Sequence, residues 1–283
     1  MRITDCHVHS AGEVRADNLL RQMDANGVER ILVISQDERV SLLDTRRNLL
    51  RLKPVLDAAP DRIGGLAWVN PAIPGMCGLA EEALGDMGYV GIKIIPDHWF
   101  AYEERLDPFW GKMNALKARI LFHTGILYAY DDGSRFCQPL WLEKLVHYPN
   151  IRFAMAHISW PWCEECLAVM GRMGAAAKAG GWEWQSYVDL TPGAPPHIRK
   201  QALANAVAFC GAERIMFGTD SFCGSGGTEY SADSQLPGDL AYQKKTIEVD
   251  LGILDELGLT EKQKERIMSG TADEVFPARK SGT

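Results

Sequence analysis

"RITDCHVHSAGEV", residues 2–14, sets two histidines two positions apart at the end of an apolar run and then passes into a short loop. The run has strand composition. Side chains alternate across a strand, so His7 and His9 share one face while Cys6 and Val8 share the other. Two imidazoles so placed can reach one metal ion, or they can form a hydrogen-bonded pair in a core. The loop after the strand narrows the fold. An open nucleotide-binding sheet carries a glycine-rich phosphate loop after an early strand. "HSAGEV" (9–14) is not one, and no GxGxxG or Walker pattern stands at a later strand–helix junction.

Seven more strand-length runs lie further along the chain: "RILVIS" (30–35), "IGGLAWVN" (63–70), "VGIKIIP" (90–96), "RILFHTG" (119–125), "IRFAMAHIS" (151–159), "SYVDL" (186–190) and "RIMFGTDS" (214–221). Several are almost continuously apolar, as parallel strands covered by helices should be. The stretches between them read as helices. "ADNLLRQMDANG" (16–27) offers Asp17 as N-cap and Gly27 as terminator. "DPFWGKMNALKA" (107–118) opens with Asp107 as cap and Pro108 in the first turn. Thr260 and Gln263 have capping-box spacing before Gly270 stops that helix, and Thr271 with Glu274 repeats it. Eight strands alternating with helices at a spacing of roughly 30 residues predict a parallel α/β fold, a (β/α)8 TIM barrel. No linker or low-complexity stretch interrupts residues 1–283, so a single domain is expected.

Composition excludes several functions. The 283 residues are 46% apolar and 24% charged, with net charge −7. An acidic chain without a Lys/Arg cluster does not suit a phosphate backbone, so no nucleic-acid partner is expected. No apolar run approaches the roughly 18 residues of a membrane span, and the N-terminus shows no secretory pattern. A cytoplasmic protein without a membrane partner is the resulting expectation. The seven cysteines are scattered and read as free thiols. The pair in "CEEC", Cys163 and Cys166, lies on one helix face and reads as packing.

Polar residues then stand out by position. His7 and His9 end strand one, Lys93 lies in strand four, His123 near the end of strand five, His157 near the end of strand six, and Asp220 ends strand eight. His98, His147 and His197 fall in loops or helices. In a TIM barrel the C-terminal strand ends carry the catalytic groups. Burying so many ionisable groups among apolar strands is costly unless something compensates, and a divalent metal held by imidazoles and a carboxylate does so. His7 and His9 thus read as part of a ligand set.

"DCHVH", the histidines of strands five and six, "GTDS" (218–221) and the closing "IMSGTADEVF" (267–276) resemble the amidohydrolase superfamily. The nearest branch is the amidohydrolase-related (amidohydrolase 2) family, which includes aminocarboxymuconate-semialdehyde decarboxylase. The resemblance covers essentially the whole chain. It implies that His7, His9, His123 and Asp220 hold one divalent ion, Zn²⁺ in the first instance, with His157 acting as acid, base or substrate-orienting group. Two-metal members carry a carboxylated strand-four lysine, so Lys93 and His157 would join the ligands of a binuclear site. One ion is favoured over two.

The resemblance implies hydrolysis of an amide, lactone or ester in a small organic substrate, with Asp220, His157 and Lys93 as catalytic residues and a metal-activated water. The alternative is non-oxidative decarboxylation, with Lys93 or Arg135 gripping a carboxylate. DNA hydrolysis fits poorly, because related nucleases place Glu where Lys93 stands. A binding barrel without turnover is the remaining class. Aromatic residues in "DHWFAYEE" (97–104), "ILYAYDDGSRF" (126–136) and "WPW" (160–162) suggest a partly apolar or planar small-molecule substrate, and they leave room for a homodimer. "FCGSGGTEYSADSQLPGD" (222–239) is long enough to serve as a lid.

Overall fold

The computed structural model describes residues 1–36, 41–128, 132–224 and 237–279, excepting the side chains of 237–240. The apolar runs form β1 (Thr4–Ser10), β2 (Arg30–Ile34), β3 (Ile63–Trp68), β4 (Gly91–Ile94), β5 (Arg119–Phe122), β6 (Arg152–Met155), β7 (Ser186–Asp189), β8 (Ile215–Met216) and β9 (Ser221–Cys223). All pair in parallel, in the order β8-β7-β6-β5-β4-β3-β2-β1-β9. The eighth expected strand is therefore split. Its first half pairs with β7 and its second with β1. Across the break, Cys6 N donates to Phe217 O at 3.1 Å and Asp220 N donates to His7 O at 2.8 Å, which closes the TIM barrel.

Helices cover the outside: α1 (Ala16–Asn26), α2 (Leu42–Ala58), α3 (Met76–Gly85), α4 (Asp107–Ala115), α5 (Cys163–Gly180), α6 (Pro196–Cys210) and α7 (Pro237–Glu256). Between β5 and β6 the described residues make 3-10 turns, Ser134–Cys137 and Pro139–His147. Ile31, Val33, Ile92, Ile94 and Ile120 face outward to the helices. Cys6, Leu32, Leu66, Leu121, Ala154 and Met216 fill the barrel interior, which Val275 and Phe276 plug at the N-terminal end. Among the described residues no helix is long and apolar enough to cross a membrane.

β1 corrects the simple alternation expected for it. Cys6 joins the interior cluster and Val8 the outer one, so they do not share a face. The pairing register with β2 shifts between Asp5 and Val8. A bulge of this kind inserts one residue and re-aims the side chains after it, which lets His7 and His9 both turn to the site.

Local capping signals met mixed outcomes. Gly27 ends α1 at φ 68°, and Thr260 with Gln263 forms the capping box that opens α8 (Glu261–Glu265). Asp17 does not cap α1: Arg15 holds that position, and Asp17 pairs with it from the first turn. Asp107 is already helical in α4, where its carboxylate accepts from Lys144 at 2.8 Å and Tyr148 at 3.1 Å. Gly270 does not stop the chain, which continues through a π turn (Arg266–Gly270) into α9 (Thr271–Val275). Thr271 caps nothing; its hydroxyl donates to Ala212 O at 3.2 Å. Cys163 and Cys166 are unbridged thiols at the start of α5, the latter buried.

One buried ion pair serves the site directly. Arg199 of α6 meets Asp250 of α7 through two bonds, at 2.9 and 2.7 Å, and donates to Leu190 O at 2.7 Å. Removing either partner would strand a buried charge at a cost of about 3–5 kcal/mol. The pair pins the loop after β7, which carries Thr191 and Gly193.

Candidate metal centre

His7 and His9 leave β1 with their Nε2 atoms 3.2 Å apart. Asp220 reaches them from the break between β8 and β9: its Oδ1 lies 3.3 Å from Nε2 of His7 and 3.2 Å from Nε2 of His9. Three donors thus form a nearly equilateral triangle. Ligands at about 2.0–2.1 Å from a tetrahedral zinc ion lie roughly 3.3–3.4 Å from one another, so the triangle has the dimensions of one face of such a shell. The donor atoms of His7, His157 and Asp220 also lie within 4.8 Å of one another.

The backbone is strained where it aims these groups. Asp220 has φ 58°, and the run His157, Ile158, Ser159 has φ 61°, 47° and 55°. A non-glycine residue in this region costs of order 1–3 kcal/mol and persists only where surroundings impose it. Close approach does the rest. A Cβ on Gly218 would lie 2.9 Å from Cβ of His7, and one on Gly193 would lie 2.7 Å from Cβ of His157. Glycine at both positions lets the loops press against the imidazoles.

Hydrogen bonds assign the protons. Asp189, at the end of β7, accepts from Nδ1 of His7 at 2.7 Å. A carboxylate can only accept at neutral pH, so Nδ1 carries the hydrogen and Nε2 presents a lone pair. Pro192 O stands 3.1 Å from Nδ1 of His157, which fixes the same tautomer there. Nδ1 of His123 lies 3.2 Å from Nε2 of His157, and donating to it leaves Nε2 of His123 a bare lone pair. That atom is buried and has no hydrogen-bond partner among the described residues.

Burial and these neighbours also set the charge states. Burial and the neighbouring Lys93 push the pKa of His7 well below the ordinary value, and burial with His157 does the same to His123, so both rings are neutral donors. Burial opposes ionisation of Asp220, but the surrounding imidazoles, His7 first, outweigh it and hold the carboxyl well below its usual range. Burial raises Asp189 to about 6, partly offset by His157 and the Thr191 amide. This donor set of neutral imidazoles and an ionised carboxylate matches what a divalent ion takes.

A family model described as amidohydrolase matches residues 4–278. The chain belongs to the amidohydrolase family. Members are enzymes that depend on metal ions. Among solved structures, an amidohydrolase from Burkholderia multivorans with bound zinc aligns at TM-score 0.67 and 12% identity, over 99% of this chain and 100% of the other. 5-Carboxyvanillate decarboxylase from Novosphingobium aromaticivorans, complexed with manganese and a nitrobenzoic acid, aligns at 0.65 and 15%, over 97% and 96%. A probable 2-pyrone-4,6-dicarboxylic acid hydrolase from Acinetobacter baumannii, with citric acid bound, aligns at 0.63 and 13%, over 98% and 99%. At these identities the likeness establishes the barrel fold. No curated protein matches the chain.

The candidate site opens into a cavity of about 390 Å³ lined by His9, His123, His157 and Asp220 together with apolar side chains. Lys93 lies beneath, fully buried, its Nζ donating to Nε2 of His7 at 3.0 Å. Burial lowers its pKa to about 8, against the pull of Asp220 and Asp189. Arg135 is not at the cavity: it is exposed, 4.8 Å over the ring of Phe136 and 3.4 Å from Asp132. Of the rim aromatics, Tyr128 and Trp160 line the cavity. Phe100, Tyr102, Phe136 and Trp141 instead pack on one another at 4.7–5.4 Å. Most of the expected lid (222–239) lies outside the described residues.

Sequence reading passed over the second layer. Asp189 ends an apolar strand as Asp220 does, and that shared position was the available signal. Asp5 is buried below His7, raised to about 6 by burial, and accepts from Thr219 Oγ1 at 2.6 Å and Gln243 Nε2 at 2.9 Å. It ties α7 to β1 and to the turn that carries Asp220.

Proposed function

We propose that the protein is a metal-dependent hydrolase that cleaves an ester, lactone or amide bond in a small organic substrate. The triangle of His7, His9 and Asp220 donors beside an apolar cavity carries this reading. One divalent ion, zinc in the first instance, would be held by these three with His123 or His157 completing the set. A bound ion of this kind supplies Lewis acidity and lowers the pKa of a water from 15.7 to roughly 7.

The chain's own groups divide the remaining work. Asp220 is ionised and has a second carboxylate oxygen, so it can accept a proton from the attacking water and return it to the leaving group. His157 holds its Nδ1–H on Pro192 O, and its Nε2 accepts from Nδ1 of His123, which keeps both rings oriented at the cavity. Asp189 keeps His7 in the tautomer that offers Nε2 to the ion. Lys93 counters the negative charge of Asp189 and Asp220 from below. The apolar wall excludes bulk water, which strengthens each polar interaction inside.

Decarboxylation is the second reading, favoured by the likeness to 5-carboxyvanillate decarboxylase. It asks for a cation on a substrate carboxylate, and neither Lys93 nor Arg135 lines the cavity. That observation favours hydrolysis. The deciding experiment incubates zinc- and manganese-loaded protein with esters, lactones, amides and aromatic acids while measuring acid release and CO₂ release separately. Acid release with about one ion per chain supports the proposal; CO₂ release without acid release overturns it.

A further inference from the structure

We infer that the site takes a substrate whose body is an uncharged planar ring, seated against Trp68 and Phe222 beside His9. The inference deepens the hydrolytic reading and rests on it for the reacting group alone. The His9 imidazole contacts two larger rings that also line the cavity, its centroid 5.9 Å from Trp68 in an edge-on arrangement and 5.5 Å from Phe222 at 30°. A substrate body in the cavity beside His9 and Asp220 can lie along these rings. Phe222 is 50% exposed, although it lines a concave site. An aromatic face left open to solvent in a cavity gains from being covered by another apolar plane.

Charge narrows the class further. Ile95, Leu127 and Trp160 also line the cavity wall, and no Lys or Arg among the described residues does so. A ring carboxylate away from the reacting carbonyl would enter this wall unpaired, and burying an unpaired carboxylate is strongly unfavourable. A neutral ring meets no such cost. The volume, about 390 Å³, lies near the lower end for ligand sites and suits one ring with a short acyl group.

Three hydroxamates test this on the zinc-loaded protein by calorimetric titration, because a hydroxamate chelates the ion whether or not turnover occurs. Acetohydroxamate, which has no ring, reports the metal centre alone. Benzohydroxamate should bind at least tenfold tighter than acetohydroxamate, and at least tenfold tighter than 4-carboxybenzohydroxamate. Phe222→Ala and Trp68→Ala should each weaken benzohydroxamate about tenfold while leaving acetohydroxamate within threefold, which also shows that the variants are folded. Benzohydroxamate no tighter than acetohydroxamate overturns the inference, as does equal or tighter binding of the carboxylated ring. Ring-dependent binding without ester or amide turnover keeps the aromatic slot and removes the hydrolytic reading.

Discussion

The two mouths of this barrel are built from the same eight chain segments and treat polar groups in opposite ways. At the N-terminal mouth, Phe276 and Val275 close an apolar interior, and Asp273 gathers Arg2, Thr4 and Arg30 at 2.9–3.1 Å. At the C-terminal mouth, imidazole lone pairs and a carboxylate face one another, Nε2 of His123 has no described partner, and Asp220 and the run His157, Ile158, Ser159 hold positive φ. One mouth is arranged for stability. The other leaves a buried imidazole nitrogen without a partner among the described residues and accepts strain to aim its groups, which is the expected signature of a ligand site.

Breaking the comparison at the upper mouth should have the largest effect. His9→Ala or Asp220→Ala should remove metal content and at least a thousandfold of turnover together, while circular dichroism and the unfolding midpoint stay near wild type. Elemental analysis decides it: full zinc in both variants would refute the ligand assignment. At the lower mouth the pattern reverses. Phe276→Ala should cost about 3–5 kcal/mol in urea unfolding through cavity formation, with metal affinity of the folded protein within a few fold. A Phe276→Ala variant that loses metal without losing stability would erase the division between the mouths.

Two smaller tests sharpen it. Asp189→Asn should weaken metal binding about 10–100-fold, as loss of an orienting carboxylate behind a ligating histidine does, with little change in unfolding; chelator competition measures it. The last concerns Asp5, whose folded pKa of about 6 exceeds its ordinary 3.8. Between roughly pH 4 and 6 the native state then holds more protons at Asp5 than the unfolded chain, so this group's contribution to stability falls as pH rises. The stability of Asp5→Asn relative to wild type, both metal-free, should therefore shift in the variant's favour as pH rises from about 4 to 7. A gap independent of pH would show that Asp5 is ionised throughout.

The barrel was legible because eight apolar runs of strand length alternate with helix signals, and periodicity is a local property. Gly27 and the Thr260–Gln263 box were legible for the same reason. Other local signals failed where distant contacts overrode them. Asp107 is drawn from a capping role by Lys144 and Tyr148, and Thr271 bonds Ala212 rather than the start of its own helix. The rim aromatics Phe100, Tyr102 and Phe136 gave the same composition signal as Trp160 but packed on one another and on Trp141 instead of the cavity. Composition does not say which rings meet.

The amino-acid order by itself determined an α/β barrel and set His7, His9, Lys93, His123, His157 and Asp220 on or next to its strands. Strand period and apolar content specify those features within short windows. Only the tertiary structure decided how the groups face one another: the bulge that turns His7, the break in the eighth strand that aims Asp220, and the Asp189 carboxylate behind His7. Each depends on contacts between residues far apart in the chain, such as Asp220 N with His7 O and His7 Nδ1 with Asp189. Such contacts exist only once the strands have closed into a ring, so no local pattern can encode them.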